Sequence, residues 1–286
     1  MPHQDSTPRE AKPRQGGADR PLLDLFSLRG HTIIISGGGG GLGTTVADSV
    51  LECGGNVVCL DLAPEPSHAP WKTLQSKASD TKAQLIYHQC DVTSSESVVE
   101  VFLKLKGALG APIRGLVACV GQSDTGPSID YPASDFLRIL NINIMGTYIV
   151  AQATARAMKA ENVDGAMVLV ASMSGWVANK GADSSAYNTA KCGIHQLGRS
   201  LASEWGSRVD MPLIRVNTIS PGYIKTAATV EALANQGMEE RWSEQNMLNR
   251  ISFPDEFRGP IMFLLSDASS FMTAADLTVD GGHRSW

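Results

Sequence analysis

Seven short apolar runs recur along the chain and alternate with segments of helical periodicity. They lie at 31–36, 56–61, 84–91, 115–121, 165–172, 214–220 and 276–282. Each run is continuously apolar rather than alternating, which is typical of parallel strands covered on both faces. Because parallel neighbours are joined by right-handed helical crossovers, the pattern predicts an α/β fold: a Rossmann-type doubly wound parallel sheet of about seven strands with helices on both faces.

Helical patterns fill the gaps, at 44–54, 95–110, 136–161, 184–206 and 254–268. No internal repeat or mid-chain linker divides them, so we expect one domain over residues 26–286. The polar, proline-containing leader lacks the apolar core of a secretory signal, which predicts a disordered tail over 1–25. Residues 222–250 have no strand pattern and predict an insertion near the substrate site.

The composition excludes several functional classes. The chain has 286 residues and a formal net charge of -5, without a dense Lys and Arg cluster, so it has no electrostatic footprint for nucleic acid or an anionic membrane. No apolar stretch approaches the ~20 residues of a bilayer span. The scattered cysteines show no metal-site or disulfide spacing, which predicts buried free thiols, no metal and a cytoplasmic location. They are Cys53, Cys59, Cys90, Cys119 and Cys192.

A run of five glycines, in SGGGGGLG at 36–43, follows the first predicted strand and opens the first predicted helix. In that context glycines let the backbone approach a pyrophosphate, and the helix N-terminus offers free N–H groups. Two registers are open: Gly38, Gly40 and Gly43 spell G-x-G-x-x-G, whereas Gly37, Gly41 and Gly43 spell G-x-x-x-G-x-G. Either register predicts a dinucleotide site.

Acidic residues close the second and third predicted strands. Asp61 ends VVCLD, where a carboxylate accepts hydrogen bonds from ribose hydroxyls and repels a 2′-phosphate. The following LAPEP contains no Arg or Lys, so NAD(H) is favoured over NADP(H) as cofactor. Asp91 has two open interpretations: it caps the next helix, or it faces the adenine amino group.

Tyr187 and Lys191, in YNTAK, supply candidate chemistry. Four residues apart, they share one helix face, so the ammonium can lower the pKa of the phenol. Such a tyrosine exchanges a proton with a substrate oxygen while hydride moves to or from a nicotinamide. Ser172, at the carboxyl end of the fifth predicted strand, can hold the same oxygen. Together with the glycine turn and Asp61, this predicts an NAD(P)(H)-dependent oxidoreductase that interconverts a secondary alcohol and a ketone.

These motifs together resemble the short-chain dehydrogenases/reductases over residues 26–286. The family turn reads T-G-x-x-x-G-x-G, with Ser36 here in place of Thr, which selects Gly37, Gly41 and Gly43 and leaves Gly38–Gly40 as a tolerant interior. The resemblance implies further cofactor contacts beside Asp61, Asp91, Tyr187 and Lys191. They are Leu42, Val92 and Gly121, and, from SPGYIKT, Pro221, Gly222, Ile224 and Thr226.

The resemblance also implies a catalytic tetrad of Asn143, Ser172, Tyr187 and Lys191. Asn143 would hold a water that links Lys191 to solvent, and Lys191 would also bind the nicotinamide ribose. Ser174 is an alternative for the serine, and Asn141 competes less well with Asn143, which stands three residues before a glycine.

Two stretches depart from the family pattern. ACVG at 118–121 replaces N-N-A-G, so two asparagine side chains that would steady the strand are missing while the turn glycine is kept. Ala275 lies near where the family has a glycine before its last strand, so we expect a slightly different backbone there.

The substrate pocket is predicted to follow the fourth and fifth strands and to include the insertion. Its candidate residues are Ser123, Trp176, Asn179, Asp183 and Tyr223. SMSGWVANKG and VNTISPGYIKT resemble the polyol and ketose reductase branch of the family, which implies a polyol, a ketose or a polar-decorated secondary metabolite as substrate. Trp176 and Trp205 are also open to interpretation as core or subunit-contact residues.

The resemblance implies a homodimer or homotetramer, because the family pairs two long helices into a four-helix interface.

Two rival functions are compatible with the same fold. One uses the bound cofactor without net redox change, in epimerisation, elimination or cyclisation; the other is a non-catalytic nucleotide sensor. The complete tetrad favours the hydride-transfer enzyme, since a sensor has no use for an activated tyrosine.

Overall fold

The computed structural model describes residues 20–234 and 237–286. Most of the predicted tail, residues 1–19, lies outside the described residues. Leu22–Phe26 forms a 3₁₀ turn, and Arg20 forms an ion pair with Asp267 at 2.6 Å. Residues 20–25, which the sequence assigned to the tail, are therefore structured.

Seven strands form one parallel sheet. They are β1 (Thr32–Ser36), β2 (Asn56–Asp61), β3 (Leu85–Gln89), β4 (Ile113–Ala118), β5 (Gly165–Val170), β6 (Ile214–Pro221) and β7 (Asp276–Val279). Their order is β3-β2-β1-β4-β5-β6-β7, and every neighbouring pair is parallel. The predicted doubly wound, Rossmann-type sheet is confirmed.

Helices cover both faces of the sheet. They are α1 (Gly41–Glu52), α2 (His68–Thr81), α3 (Ser95–Leu105), α4 (Ala133–Leu140), α5 (Gly146–Glu161), α6 (Ser185–Ser207), α7 (Ala227–Leu233), α8 (Met238–Glu244) and α9 (Arg258–Leu265). One buried apolar cluster joins the strands to α3, α5 and α6, and a second joins them to α1, α2 and α9. Strands covered on both sides explain why the apolar runs are continuous.

The helix predicted over 136–161 is divided. A π-helical turn, Asn141–Met145, separates α4 from α5. Such turns insert a residue into the helical ladder and are frequent at functional sites. Here the turn carries Asn143, whose side chain is fully buried.

The winding of the sheet reverses between β1 and β4. The chain runs from β1 outward to β2 and β3, and then returns to β4 on the opposite side of β1. In doubly wound sheets, ligands bind in the crevice at the carboxyl ends of the strands beside this switch point. The predicted site residues follow these strand ends.

Candidate active site

The glycine turn joins β1 to α1 and rests on the end of β2. The backbone N–H groups of Gly37 and Gly38 donate to Leu60 O at 2.8 and 3.1 Å. Gly37 has a φ of +71°, and a Cβ there would lie 3.0 Å from Val120 N, so only glycine fits without strain. A Cβ on Gly43 would lie 2.0 Å from Gly37 O. The turn is therefore as tight as the predicted phosphate-binding motif requires.

The predicted tolerance of Gly38–Gly40 is wrong at Gly38. A Cβ there would lie 2.5 Å from Cys59 Cβ and 2.9 Å from Cys59 Cα, because the turn passes directly over β2. Gly39 is also tight, since its Cβ would lie 3.0 Å from Asp61 Oδ2. At Gly40 the nearest contact is an ordinary 3.4 Å. Packing against β2 thus accounts for glycines beyond those of the motif.

Asp61 is fixed beside this turn. Its Oδ2 accepts a hydrogen bond from Gly39 N at 2.9 Å, and its Oδ1 accepts one from Ala63 N at 3.3 Å. The carboxylate therefore lies at the carboxyl edge of the sheet, close to the N-terminus of α1. A carboxylate at this position is suited to accept hydrogen bonds from ribose hydroxyls.

Of the two interpretations of Asp91, helix capping is wrong. Ser94 caps α3, because its side chain accepts from Ser97 N at 3.1 Å. Asp91 Oδ1 accepts instead from the backbone and hydroxyl of Thr93, at 2.9 and 2.7 Å, and so closes the turn after β3. The adjacent Val92 is buried, with its side chain against the start of α5.

Lys191 and Asn143 meet beside Gly121. A Cβ on Gly121 would lie 3.1 Å from both Asn143 Oδ1 and Lys191 Nζ, so glycine leaves space next to two polar atoms. Asn143 Nδ2 donates to Gln122 O at 2.8 Å and to Ile139 O at 2.9 Å, which fixes the orientation of the amide. Its Oδ1 is buried and has no hydrogen-bond partner among the described residues. An acceptor is therefore available next to the lysine.

Lys191 is almost fully buried on α6, with 3% of its surface exposed. Its Nζ donates to Val170 O at 2.9 Å, at the end of β5, and lies 5.6 Å from the centroid of the Tyr187 ring. Burial lowers the pKa of Lys191 to about 8, and the nearby Cys119 acts in the opposite direction. The lysine therefore loses its proton at a lower pH than an exposed lysine does.

Tyr187 lies one helical turn before Lys191. Burial raises the pKa of its phenol above the ordinary value, and a hydrogen bond with the Ser172 side chain partly offsets this. The predicted net lowering of the phenol pKa is therefore wrong, because the effect of burial exceeds the stabilisation of the phenolate by neighbouring groups. The hydrogen bond nevertheless brings Ser172 and Tyr187 together.

Ser172 begins the short turn that follows β5. Its Oγ accepts from Ser174 N at 3.1 Å, and Ser174 Oγ in turn accepts from Asn179 Nδ2 at 2.7 Å. All three residues are buried, and Asn179 Oδ1 has no hydrogen-bond partner among the described residues. Of the two serines considered for the same role, Ser172 is the one beside Tyr187.

The segment after β6 returns to the glycine turn. Pro221 ends β6, and Gly222 N donates to Val279 O at 3.0 Å. A Cβ on Gly41 would lie 3.4 Å from Thr226 Cβ, so Thr226 stands at the N-terminus of α1. Leu42, the next residue of α1, and Ile224 both pack against the core cluster on that face of the sheet.

Two predicted substrate residues contact other partners. The Trp176 indole N–H donates to Asp276 Oδ2 at 2.9 Å, at the start of β7. Tyr223 stacks on Trp242 of α8, with ring centroids 4.1 Å apart and an interplanar angle of 4°. Its hydroxyl lies 3.3 Å from Gln245 Oε1, so the tyrosine fastens the insertion to the end of β6.

Ser123 and Asp183 are exposed, in the loops after β4 and before α6. These loops are joined, because Gly126 N donates to Asp183 O at 2.8 Å. Trp205, by contrast, is 8% exposed and belongs to the core cluster against α5.

Sequence reasoning missed Gln122 and His195. Gln122 positions Asn143 through its backbone carbonyl, which no side-chain motif reveals. His195 stands four residues after Lys191, so its spacing places it on the same face of α6, and it is 3% exposed.

The departures from the family pattern have local consequences. Cys119 N donates to Ser36 O at 2.9 Å, so the main chain still ties ACVG to β1 without the asparagine side chains. Burial raises the pKa of the Cys119 thiol to about 12. Before β7, the unusual backbone lies at Ala274, which has a φ of +60°, rather than at Ala275.

Within 20–234 and 237–286, no cluster of His, Cys, Asp or Glu side chains is arranged to hold a metal ion. The five cysteines are free thiols, but the prediction that they are buried holds only for Cys59 and Cys90, since Cys53 and Cys119 are half-buried and Cys192 is exposed. In the same part of the chain, no helix has the length and apolarity needed to cross a membrane.

Comparison with known proteins identifies the family of the chain. Residues 38–284 match a family model described as enoyl-(acyl carrier protein) reductase. The chain is 55% identical to the short chain dehydrogenases/reductase notP' of Aspergillus versicolor, over 97% of this chain and 95% of the relative.

More distant relatives carry named activities. The chain is 33% identical to the ribulose-forming D-arabinitol 2-dehydrogenase of Candida tropicalis, over 93% of this chain and 96% of that protein. It is equally similar, at 33%, to the NADH-dependent L-xylulose reductase of Ambrosiozyma monospora, over 92% and 98%. Among solved structures, the NADPH-dependent 3-quinuclidinone reductase of Rhodotorula rubra superimposes with a TM-score of 0.84, at 29% identity over 96% and 97% of the chains.

Proposed function

The chain belongs to the short-chain dehydrogenase/reductase family of NAD(P)-dependent alcohol–ketone oxidoreductases, and from that premise we propose that it uses NAD(H) to interconvert a polar secondary alcohol and its ketone. The observation that carries the proposal is the arrangement around Gly121, where Lys191 and Asn143 adjoin one space. In addition, the Ser172 side chain acts on the Tyr187 phenol and lowers its pKa.

The residues present fit a nicotinamide dinucleotide. The tight turn at Gly37, the start of α1 at Gly41 and the carboxylate of Asp61 line one edge of the sheet. The space beside Gly121 continues this edge to Lys191. We assign the pyrophosphate to the glycine turn, the adenosine ribose to Asp61 and the nicotinamide ribose to Tyr187 and Lys191.

Asp91 and Val92 would meet the adenine, while Pro221, Gly222, Ile224 and Thr226 would meet the nicotinamide end.

The chain's own residues supply the proton chemistry. When bound, the nicotinamide supplies or accepts the hydride at the carbinol carbon. In the reductive direction, Tyr187 donates its phenolic proton to the carbonyl oxygen, which Ser172 holds by a hydrogen bond. The ammonium of Lys191 stabilises the phenolate that remains. Asn143 Oδ1, oriented by Gln122, holds the water through which the proton is replaced.

Asp61 supports NAD(H) as the preferred cofactor. Its carboxylate is fixed by Gly39 and Ala63, so it cannot turn away from a 2′-phosphate without losing both hydrogen bonds. Among the relatives, one named protein is NADH-dependent and another is NADPH-dependent, so the preference is a property of the individual chain.

Polar groups on the loops that follow β4 and β5 support a polyol, ketose or polar-decorated metabolite as substrate. Asn179 presents an unpartnered buried oxygen, and Ser123 and Asp183 lie on adjoining loops. Two relatives are named for arabinitol and xylulose.

We further propose that the protein is a cytoplasmic homodimer or homotetramer. Sedimentation at micromolar concentration would test the oligomeric state, and a monomer would contradict it.

The cofactor assignment is tested by comparing Asp61→Ala with wild type. We expect wild-type kcat/KM to favour NADH over NADPH by at least about tenfold, because placing like charges together costs several kcal/mol. Asp61→Ala should lose most of that ratio, whereas Asp80→Ala, an exposed aspartate on α2, should keep it.

The assay uses a panel of polyols, ketoses and bulkier aromatic ketones with each cofactor. Better turnover with NADPH in the wild-type protein would contradict the role of Asp61. Conversion of a substrate to an isomer of the same mass, without cofactor consumption, would contradict the oxidoreductase proposal itself.

A further inference from the structure

A buried polar pair lies beneath the turn that carries Ser172. His195 is 3% exposed, and its Nδ1 lies 3.5 Å from Asp276 Oδ1 and 3.4 Å from Thr218 Oγ1. Asp276 opens β7, at the far end of the sequence from β5. The pair therefore joins α6, β6 and β7 at a point directly below the turn.

Asp276 is held firmly in place. Its Oδ1 accepts from Thr218 Oγ1 at 2.7 Å and from Ser220 Oγ at 2.8 Å, and its Oδ2 accepts from Thr278 Oγ1 at 3.0 Å. Burial opposes its ionisation, but the hydrogen bonds from Thr218, Ser220 and Trp176 lower the pKa of Asp276 below its ordinary value. The carboxylate is thus a fixed acceptor.

The other side of the histidine ring meets the turn. A Cβ on Gly175 would lie 2.7 Å from His195 Nε2, so the turn rests directly on the imidazole. Burial lowers the pKa of His195, while Asp276 and the backbone of Ser172 act to raise it. A displacement of His195 would therefore shift the turn that carries Ser172.

Trp176 closes the turn at its other end. Its indole N–H donates to Asp276 Oδ2, and its ring packs on His195 with centroids 4.5 Å apart. The guanidinium of Arg284 covers the outer face at 4.9 Å. The turn Met173–Gly175 is thus linked to the Asp276 carboxylate in two ways, through His195 below it and through Trp176 at its end.

We propose that Asp276, His195 and Trp176, here called the Asp276 clamp, are positioning residues that fix the Ser172 hydroxyl for the substrate carbonyl. The inference rests on the proposed function of Ser172. His195 supports the turn from below, and Trp176 ties its end to β7. Trp176 then acts through the turn rather than by touching substrate.

Trp176→Phe tests the clamp, because it removes the indole N–H and keeps an aromatic ring at a site that is 45% exposed. We expect kcat to fall about tenfold, since small misplacements of a catalytic group are costly. The dissociation constant for NADH, measured by fluorescence, should stay unchanged, as should the thermal midpoint. Trp71→Phe on α2, where Trp71 packs edge-on against Tyr87, is the matched control and should keep wild-type kcat.

A double-mutant cycle distinguishes positioning from general stabilisation. In a Ser172→Ala background, Trp176→Phe should cause no further loss of single-turnover rate. An unchanged kcat in Trp176→Phe, or losses that multiply in the double variant, would overturn the clamp. Full turnover in Ser172→Ala alone would instead overturn the proposed function, so the two failures are distinguishable.

Discussion

At the residue scale, the central feature is a tyrosine and a lysine whose ionisation is set by burial. Burial raises the pKa of Tyr187 and lowers that of Lys191 to about 8, so it shifts both groups toward their neutral forms, although Lys191 is still mainly an ammonium below pH 8. A protonated phenol is the form required to donate to a ketone. Lys191 is therefore the group expected to titrate first as pH rises.

This predicts a pH dependence for reduction. The rate constant kcat/KM should fall as pH rises through about 8, because the ammonium that stabilises the phenolate is lost. The measurement is the kcat/KM profile from about pH 6 to 10, compared with Lys191→Arg, whose guanidinium keeps its charge throughout this range. The same break in Lys191→Arg would contradict the assignment to Lys191.

The effect of Lys191 on protein stability should have the opposite pH dependence: stability should rise with pH where the rate of reduction falls. The folded pKa of Lys191 lies below its unfolded value of 10.5, so between about 8 and 10.5 the unfolded chain binds more protons. The contribution of Lys191 to the free energy of unfolding should therefore rise with pH across this window.

Individual residues were predictable where chemistry imposes a spacing. Tyr187 and Lys191 are four residues apart and Asp61 ends a predicted strand, so the placement of all three could be predicted from sequence spacing. The direction of the phenol pKa shift was not predictable, because burial depends on elements distant in sequence. The requirement for glycine at position 38 was not predictable for the same reason, because it arises from close packing against Cys59 on β2.

At the element scale, the strands were predictable from continuous apolar runs, since each is covered on both faces. The division of 136–161 was not, because the chain stays helical through the π-helical turn Asn141–Met145. The segment entering β7 contains a further departure. Ala274 adopts a left-handed backbone with a φ of +60°, while its N–H donates to Val216 O at 2.8 Å.

Ala274→Gly should therefore stabilise the protein. A left-handed conformation costs an L-residue roughly 1–2 kcal/mol, and glycine avoids much of this cost although it also gains freedom in the unfolded chain. We expect a net gain of up to about 1 kcal/mol, measured as a higher denaturant midpoint. Ala275→Gly, at the adjacent position without a positive φ, should not stabilise; equal gains from both variants would contradict this explanation.

At the scale of the whole molecule, the sheet order brings together groups from distant parts of the chain. The glycine turn follows β1, Gly121 follows β4, Ser172 follows β5 and Thr226 follows β6, while Tyr187 and Lys191 enter from α6. Family resemblance predicted this convergence. It did not predict the Asp276 clamp, which depends on β7 lying beside β6.

The most direct test of the account is to follow the hydride itself. Wild type is given NADH that carries deuterium at both positions of the transferring carbon, together with the best ketone from the panel, and the alcohol product is analysed by mass spectrometry. The account predicts deuterium at the carbinol carbon with equal consumption of cofactor, and loss of turnover in Tyr187→Phe while NADH binding is retained. A product without deuterium, or full turnover by Tyr187→Phe, would contradict it.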